Sequence, residues 1–315
     1  MSETGKASVI STSNLVKTYG DLMALKGLNL SIPAGPVGLL GPNGAGKSTL
    51  IKCILGLVDK TSGSSTILGY SSEDLQERLE ARMKVGYVPE NDCTINSMNG
   101  LMFVKYMGEI SGLPPSDAMQ RAHEVLHYVG IGDERYRKIS TYSTGMKQKI
   151  KLAQAMVHDP DLVILDEPTN GMDPKGRQEM LDLILDISRS HGKNILFSSH
   201  LLPDVEYICD MVVIMNQGKV VEKGRIQDLK GEVTYYEIRI KGDEKQFERI
   251  LKDLGLTHER AGSFFKIPYR DGLLNRIYEK LEGSDLQLRH AAKSTMTLED
   301  LFVKHIGEGG GNDQS

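Results

Sequence analysis

Apolar and polar residues alternate from about Ser8 to Ile32, a stretch that carries Leu25, Leu28, Leu30 and Ile32. A period of two predicts strands, and Gly20-Asp21 supplies the turn between them. Val37–Leu40 is a short apolar run that leads straight into a glycine-rich loop, with a helix from about Lys47. Further apolar runs recur at Val85–Val88, Leu162–Leu165, Ile195–Ser198 and Met211–Met215, with helical patterns between most of them. Strands alternating with helices predict a mostly parallel sheet covered on both faces.

Between Asn91 and Ile139 the strand signal disappears and the stretch reads as all-helical. Met102, Tyr106 and Met107 share one face there; Ala122, Val125, Leu126 and Val129 share another. From about Val233 a new cycle is predicted: strand Val233–Ile240, helix Glu244–Leu254, strand Phe264–Ile267, helix Gly272–Leu281 and strand Leu286–His290. A short helix, Leu298–His305, then runs into Gly307-Glu308-Gly309-Gly310-Gly311, a flexible tail. No internal repeat is visible. The expected division is residues 1–230, an accessory domain over 231–306 and a tail over 307–315.

Composition narrows the classes. A chain of 315 residues leaves room for a second, smaller domain. Its 25% charged and 39% hydrophobic residues suit a globular fold. A net charge of -4 gives no basic footprint, so no nucleic-acid partner is expected. Cys53, Cys93 and Cys209 are far apart and odd in number, which suits a reducing compartment better than a disulfide framework. The first residues show no apolar secretory core, and no apolar run approaches the roughly 20 residues that span a bilayer. A membrane role is therefore expected only from the cytoplasmic side, as a peripheral protein.

Two motifs carry chemistry. Gly41-Pro42-Asn43-Gly44-Ala45-Gly46-Lys47-Ser48 matches G-x-x-x-x-G-K-[ST] between a strand and a helix, with Thr49 following. Glycines let backbone N–H groups converge on phosphate oxygens, and the helix N-terminus adds a favourable dipole. Lys47 suits the β- and γ-phosphates and Ser48 a Mg²⁺ ion. The apolar run Leu162–Leu165 ends in Asp166-Glu167, and a buried strand that stops at adjacent acids wastes desolvation energy unless they meet a cation or a site. Asp166 suits Mg²⁺; Glu167 suits the attacking water.

Tyr142-Ser143-Thr144-Gly145-Met146-Lys147-Gln148, placed before those acids, resembles the signature sequence of ABC ATPases. Ser143 and Gly145 are retained, whereas Tyr142, Thr144 and Met146 depart from the usual Leu-Ser-Gly-Gly-Gln. The resemblance covers residues 8 to about 230. It implies a P-loop α/β core with an N-terminal antiparallel β subdomain, a helical subdomain at about 91–142 and a small C-terminal α+β domain. It implies that Tyr19 stacks on adenine, that Asp173 lies at a dimer interface and that His200 contacts the γ-phosphate. Glu90 stands where the family commonly has glutamine; it offers an oxygen to Mg²⁺ or water but adds a negative charge. One copy of each motif implies that Ser143 and Gly145 close over ATP held by a second copy or a related ATPase subunit. The function implied is an ATP-binding, ATP-hydrolysing subunit that energises a transmembrane permease. Residues Met296–Phe302 resemble endings of exporter subunits of the ABC-2 type. The alternative is a soluble ABC ATPase of macromolecular assembly or remodelling.

Two further patterns need weighing. His123-Glu124-Val125-Leu126-His127 spells the zinc-protease helix H-E-x-x-H, but no persuasive third ligand follows, and it reads as a surface coincidence. Met98, Met102 and Met107 give the helical insert a methionine-rich character suited to accepting a partner helix. At least one of the three is therefore expected to be exposed.

Overall fold

The computed structural model describes residues 8–229, 233–295, 297–300 and 302. Contacts divide the described residues into one unit that ends at Ile226 and a second that starts at Gln227.

The first unit contains two sheets. Strands β1 (Ser8–Tyr19) and β2 (Leu22–Pro33) form the alternating hairpin, and Gly20 takes φ 55° in its turn. After β3 (Pro36–Leu40) and helix α1 (Lys47–Ile54), strand β4 (Ser62–Ile67) adds to the far edge of β1 and the two-residue β5 (Tyr70–Ser71) follows. The sequence gives no signal for β4, whose residues Ser62-Gly63-Ser64-Ser65-Thr66 lack apolar alternation. Tertiary pairing supplies what propensity does not: Ser11 and Thr66 hydroxyls meet at 2.7 Å, as do the buried hydroxyls of Ser65 and Ser72.

Helix α2 (Leu75–Met83), capped by Asp74, precedes β6 (Val85–Val88). Helices α3 (Gly100–Ile110), α4 (Pro115–Tyr128) and α5 (Thr144–Met156) come next, then β7 (Leu162–Asp166), α6 (Pro174–Arg189), β8 (Asn194–Ser199), α7 (Leu202–Ile208), β9 (Met211–Asn216) and β10 (Lys219–Arg225). The second sheet runs β10-β9-β3-β8-β7-β6; β10 is antiparallel and the rest are parallel. Every residue of β3 and β7 is buried, which is why their sequences are continuous rather than alternating. Leu15 and Leu28 of the antiparallel sheet, Leu50 and Ile54 of α1, and Leu39, Ile164 and Leu196 of the parallel sheet share one core. Full burial contributes roughly 1.5–3 kcal/mol for each such side chain.

The expectation of an all-helical stretch from Asn91 to Ile139 is corrected. No helix forms between Asn91 and Gly100, because Asp92 turns its carboxylate onto the N–H and hydroxyl of Thr94 at 2.9 and 2.6 Å. A short polar side chain bonding its own backbone competes with helix in this way. Residues 133–141 hold only short 3₁₀ turns. On α3 the buried side is Leu101, Phe103, Val104 and Gly108; Met102 is 41% exposed and Tyr106 is also exposed, while Met98 and Met107 are half-buried. On α5, Met146 is only half-buried, whereas Ile150 and Ala153 are fully buried.

The turn α8 (Ile226–Leu229) leads to the second unit. There, β11 (Val233–Lys241), α9 (Glu244–Asp253), β12 (Glu259–Ala261), β13 (Phe264–Pro268), α10 (Leu273–Leu281) and β14 (Gln287–Thr295) build an antiparallel sheet of order β12-β13-β11-β14. Phe247 and Leu251 of α9 and Ile277 and Leu281 of α10 pack onto Tyr236, Ile238, Phe265 and Ile267. The three-residue β12 escapes sequence reading, and β14 runs five residues beyond His290, to Thr295. Of the expected helix at Leu298–His305, residues Leu298, Glu299, Asp300 and Phe302 are helical; its remainder and the 307–315 tail lie outside the described residues. Among the described residues no helix is long and apolar enough to cross a membrane.

Candidate active site

Parallel pairing of β3 between β8 and β9 brings the ends of three strands to one edge of the sheet. There the chain leaves β3 through Gly41–Gly46 and enters α1. Glycine is required by close approach: a Cβ on Gly41 would stand 2.4 Å from the Met215 carbonyl oxygen, and one on Gly46, at φ 102°, 2.9 Å from that of Ala24. No side chain caps α1, so its first N–H groups remain directed at the loop.

A cavity of about 630 Å³ opens over this loop, lined by Tyr19, residues 42–49, Glu90 and Glu167, with Ala24, Lys26 and Gly218 at its wall. Lys47 is buried. Its ammonium donates to the Gly41 carbonyl at 2.7 Å and lies 3.4 Å from Glu167 Oε1. Asp166, at the end of β7, and Glu167 are also buried. Among the described residues Asp166 Oδ1, Glu167 Oε1 and the Ser198 hydroxyl have no hydrogen-bond partner, although β7 and β8 place Asp166 beside Ser198. Buried polar atoms are seldom left so. Glu167 Oε2 lies 2.9 Å from His200 Nδ1; with the carboxylate ionised, the imidazole N–H is the donor. Glu167 sits at φ 51°, a left-handed conformation that costs a glutamate roughly 1–3 kcal/mol. Its N–H donates to the Ser198 carbonyl at 3.1 Å, and its carbonyl accepts from Asn170 N–H at 3.2 Å.

Ser143 and Gly145 lie elsewhere: neither lines the cavity. Ser143 is exposed and caps α5, its hydroxyl accepting from Met146 N–H at 3.3 Å. Gln148 Nε2 donates to the Asn170 carbonyl at 3.3 Å, which ties the start of α5 to the loop after Glu167. Asp173 occupies the N-cap position of α6 without a capping bond from its side chain. Tyr142 is buried and donates to the Glu134 carbonyl at 2.8 Å, a packing role.

A family model described as ABC transporter matches residues 25–170. Across 95% of its length the chain is 38% identical to an ABC transporter ATP-binding protein of Nostoc sp., 90% of which is covered. The chain belongs to the ABC transporter ATP-binding proteins. It is also 33% identical to the bacitracin transport ATP-binding protein BcrA of Enterococcus faecalis, over 96% of this chain and 97% of that one. Among solved structures it resembles cbiO1 of Clostridium perfringens, part of the ABC transporter complex cbiONQ. The TM-score is 0.64 at 25% identity, over 79% of this chain and 96% of that one.

As a member of this ABC family the chain binds and hydrolyses ATP. The oxygens at and beside the Lys47 cavity suit Mg²⁺, a hard cation that takes oxygen: the Ser48 hydroxyl and the Glu90 carboxylate line it, and Asp166, with its orphaned Oδ1, directly precedes the lining residue Glu167. Among the described residues no cluster of three or more His, Cys, Asp and Glu is arranged to chelate a metal. That includes the H-E-x-x-H helix, where Glu124 pairs with Arg121 at 2.7 Å and His123 lies 3.4 Å from Arg135.

Sequence reading of the ABC motifs missed two groups of residues. Asp204 of α7, 1% exposed, accepts from Thr169 Oγ1 at 2.9 Å and from Arg177 Nε at 2.8 Å, with a second bond from Arg177 Nη2. Lys151 of α5, 3% exposed, donates to the Glu90 carbonyl at 3.1 Å; its neighbour Lys147 pairs with Asp92 at 3.3 Å. The available signal was a charge inside an apolar run, as in Ile150-Lys151-Leu152, but such a charge names no partner.

Proposed function

We propose that this chain is the ATPase subunit of an exporter, working as a pair of nucleotide-binding subunits beneath a membrane permease. The observation that carries the pairing is the absence of Ser143 and Gly145 from the lining of the Lys47 cavity. An exposed, capped helix N-terminus is an anion site that its own chain leaves unused. In this reading Ser143 and Gly145 of one copy close over the ATP of the other, with Asp173 at the seam.

Within each site Tyr19 stacks on the base, the 41–49 segment wraps the phosphates and Lys47 spans the β- and γ-phosphates. A Mg²⁺ ion held by Ser48 and Asp166, with Glu90 at the rim, supplies charge neutralisation on the phosphates. Glu167 orients the attacking water and accepts its proton as the γ-phosphoryl transfers to that oxygen, yielding ADP and phosphate. His200 holds the Glu167 carboxylate in place and reaches the γ-phosphate. The bacitracin transport relative supports export, and the exposed Met102 and Tyr106 on α3 support a permease helix docking there. The protein then works peripherally at the cytoplasmic face of the membrane.

The test combines Glu167→Gln with MgATP. Size-exclusion chromatography with light scattering should show conversion from monomer to dimer; a monomer at saturating ATP would overturn the shared site. Copurification with a multi-span membrane protein supports the permease, and its absence in favour of a soluble assembly would favour a remodelling ATPase.

A further inference from the structure

Lys151 is a cation in a place where burial alone disfavours one. The residue is 3% exposed, and the Glu90 carbonyl is its ammonium's only hydrogen-bond acceptor among the described residues. Burial pulls its pKa down. The groups that oppose this are the Cys93 thiol, Asp92, Asp166 and Glu90. Two of those carboxylates, Asp166 and Glu90, belong to the nucleotide site, and Asp92 already has Lys147. A buried ammonium with one hydrogen bond is stable only where surrounding negative charge replaces its lost hydration.

The same arithmetic applies in reverse to the site. Glu90 and Glu167 bring two carboxylates to a cavity that must admit a polyanion, Asp166 adds a third from the residue just before Glu167, and Lys47 is committed to the phosphate loop. Lys151 stands behind the Glu90 loop, not in the cavity. It therefore neutralises without touching the nucleotide. Gln154, one turn on, donates to the Tyr87 carbonyl at 2.9 Å, so α5 grips the strand that leads into the loop as well.

We propose that Lys151 is a positioning residue for ATP hydrolysis, a buried cation that offsets the charge of Glu90 and fixes its loop so that the site accepts MgATP. This rests on the placement of Glu90 at the rim of the nucleotide site. Charge compensation and simple clamping make different predictions, because the hydrogen bond goes to the backbone of Glu90 and survives any change of its side chain.

A double-mutant cycle on the full chain separates them, with Lys151→Met, Glu90→Gln and the pair. It is read as kcat/KM for ATP and as the Mg²⁺ concentration giving half-maximal ATP binding, so that it reports even where turnover is slow. Lys151→Met should raise the Mg²⁺ requirement and lower kcat/KM, and the Glu90→Gln background should shrink both effects by at least about threefold. Lys151→Arg, which keeps the cation, should restore both readouts toward wild type. Additive losses, or an equal Mg²⁺ requirement in all variants, would overturn charge compensation. Unfolding of Lys151→Met that Glu90→Gln does not relieve would do the same. Failure of the shared ATP site would show separately, as a monomeric Glu167→Gln protein with an intact cycle.

Discussion

Replacing Arg177 by leucine should destabilise the first unit by about 3 kcal/mol, because it strands a buried carboxylate. Asp204 is 1% exposed and draws on two donors, Thr169 and the Arg177 guanidinium. Removing one partner of a buried ion pair typically costs 3–5 kcal/mol; the Arg177 side chain is 32% exposed, which admits some water and favours about the lower figure. For a unit of this size, about 3 kcal/mol lowers Tm by roughly 6–12 °C. Thr169→Val should cost less, about 1.5 kcal/mol for one hydrogen bond to a charge. Arg177→Leu/Asp204→Leu should recover most of the loss, since no unpaired charge remains. Differential scanning calorimetry of the four proteins measures all of this. An Arg177→Leu loss below about 1 kcal/mol, or a double variant as unstable as the single, would refute the reasoning that Asp204 is held as a desolvated anion. Asp204 also joins the helix after His200 to α6 through Arg177 and to the loop after Glu167 through Thr169, so loss of ATPase activity should accompany loss of stability.

Three further outcomes follow from the site and the second unit. Glu167→Gln should slow hydrolysis by about 10²–10⁴ while ATP still binds, whereas Lys47→Ala should weaken binding itself by roughly 1.5–3 kcal/mol; steady-state kinetics with a fluorescent-nucleotide titration distinguishes the two. Met102→Glu should reduce permease copurification and leave basal ATPase activity near wild type, and unchanged copurification would move the docking surface off α3. In the second unit, burial pushes the Asp300 carboxyl upward, but hydrogen bonds from Lys266, Tyr235 and Thr297 outweigh it and hold the pKa well below 3.8. A depressed carboxylate contributes stability above its unfolded pKa and loses it as pH falls through the folded one. The melting difference between wild type and Asp300→Asn should therefore be full near neutrality and shrink below pH 3.8.

The glycine-rich loop was legible because its signal is local: residues 41–48 follow one another, and the strand and helix expected on either side are present. The same holds for Asp166 and Glu167, adjacent at the end of a continuous apolar strand. What escaped was made by long-range pairing. The serine-rich β4 becomes a strand only because β1 offers it an edge. Thr169, Arg177 and Asp204 meet across separate elements, and no periodicity links them. The stretch after Asn91 lacks strand signals, but Asp92 forms a local turn that a hydropathy pattern does not register. Met102 and Tyr106 share a helical face as the spacing predicts, yet Leu101, Phe103 and Val104 form the side that α3 buries.

The left-handed backbone at Glu167 has a bearing on any attempt to engineer this protein for heat resistance. Asparagine adopts φ near 51° far more readily than glutamate. Glu167→Asn should relieve that strain, but it also strips the buried Lys47 ammonium of its facing carboxylate and should fail to turn over ATP. A library screened only for survival at high temperature holds nothing that protects this glutamate and would collect inactive enzymes. Selection must therefore couple each heating round to phosphate release, since backbone strain and turnover reside in the same residue.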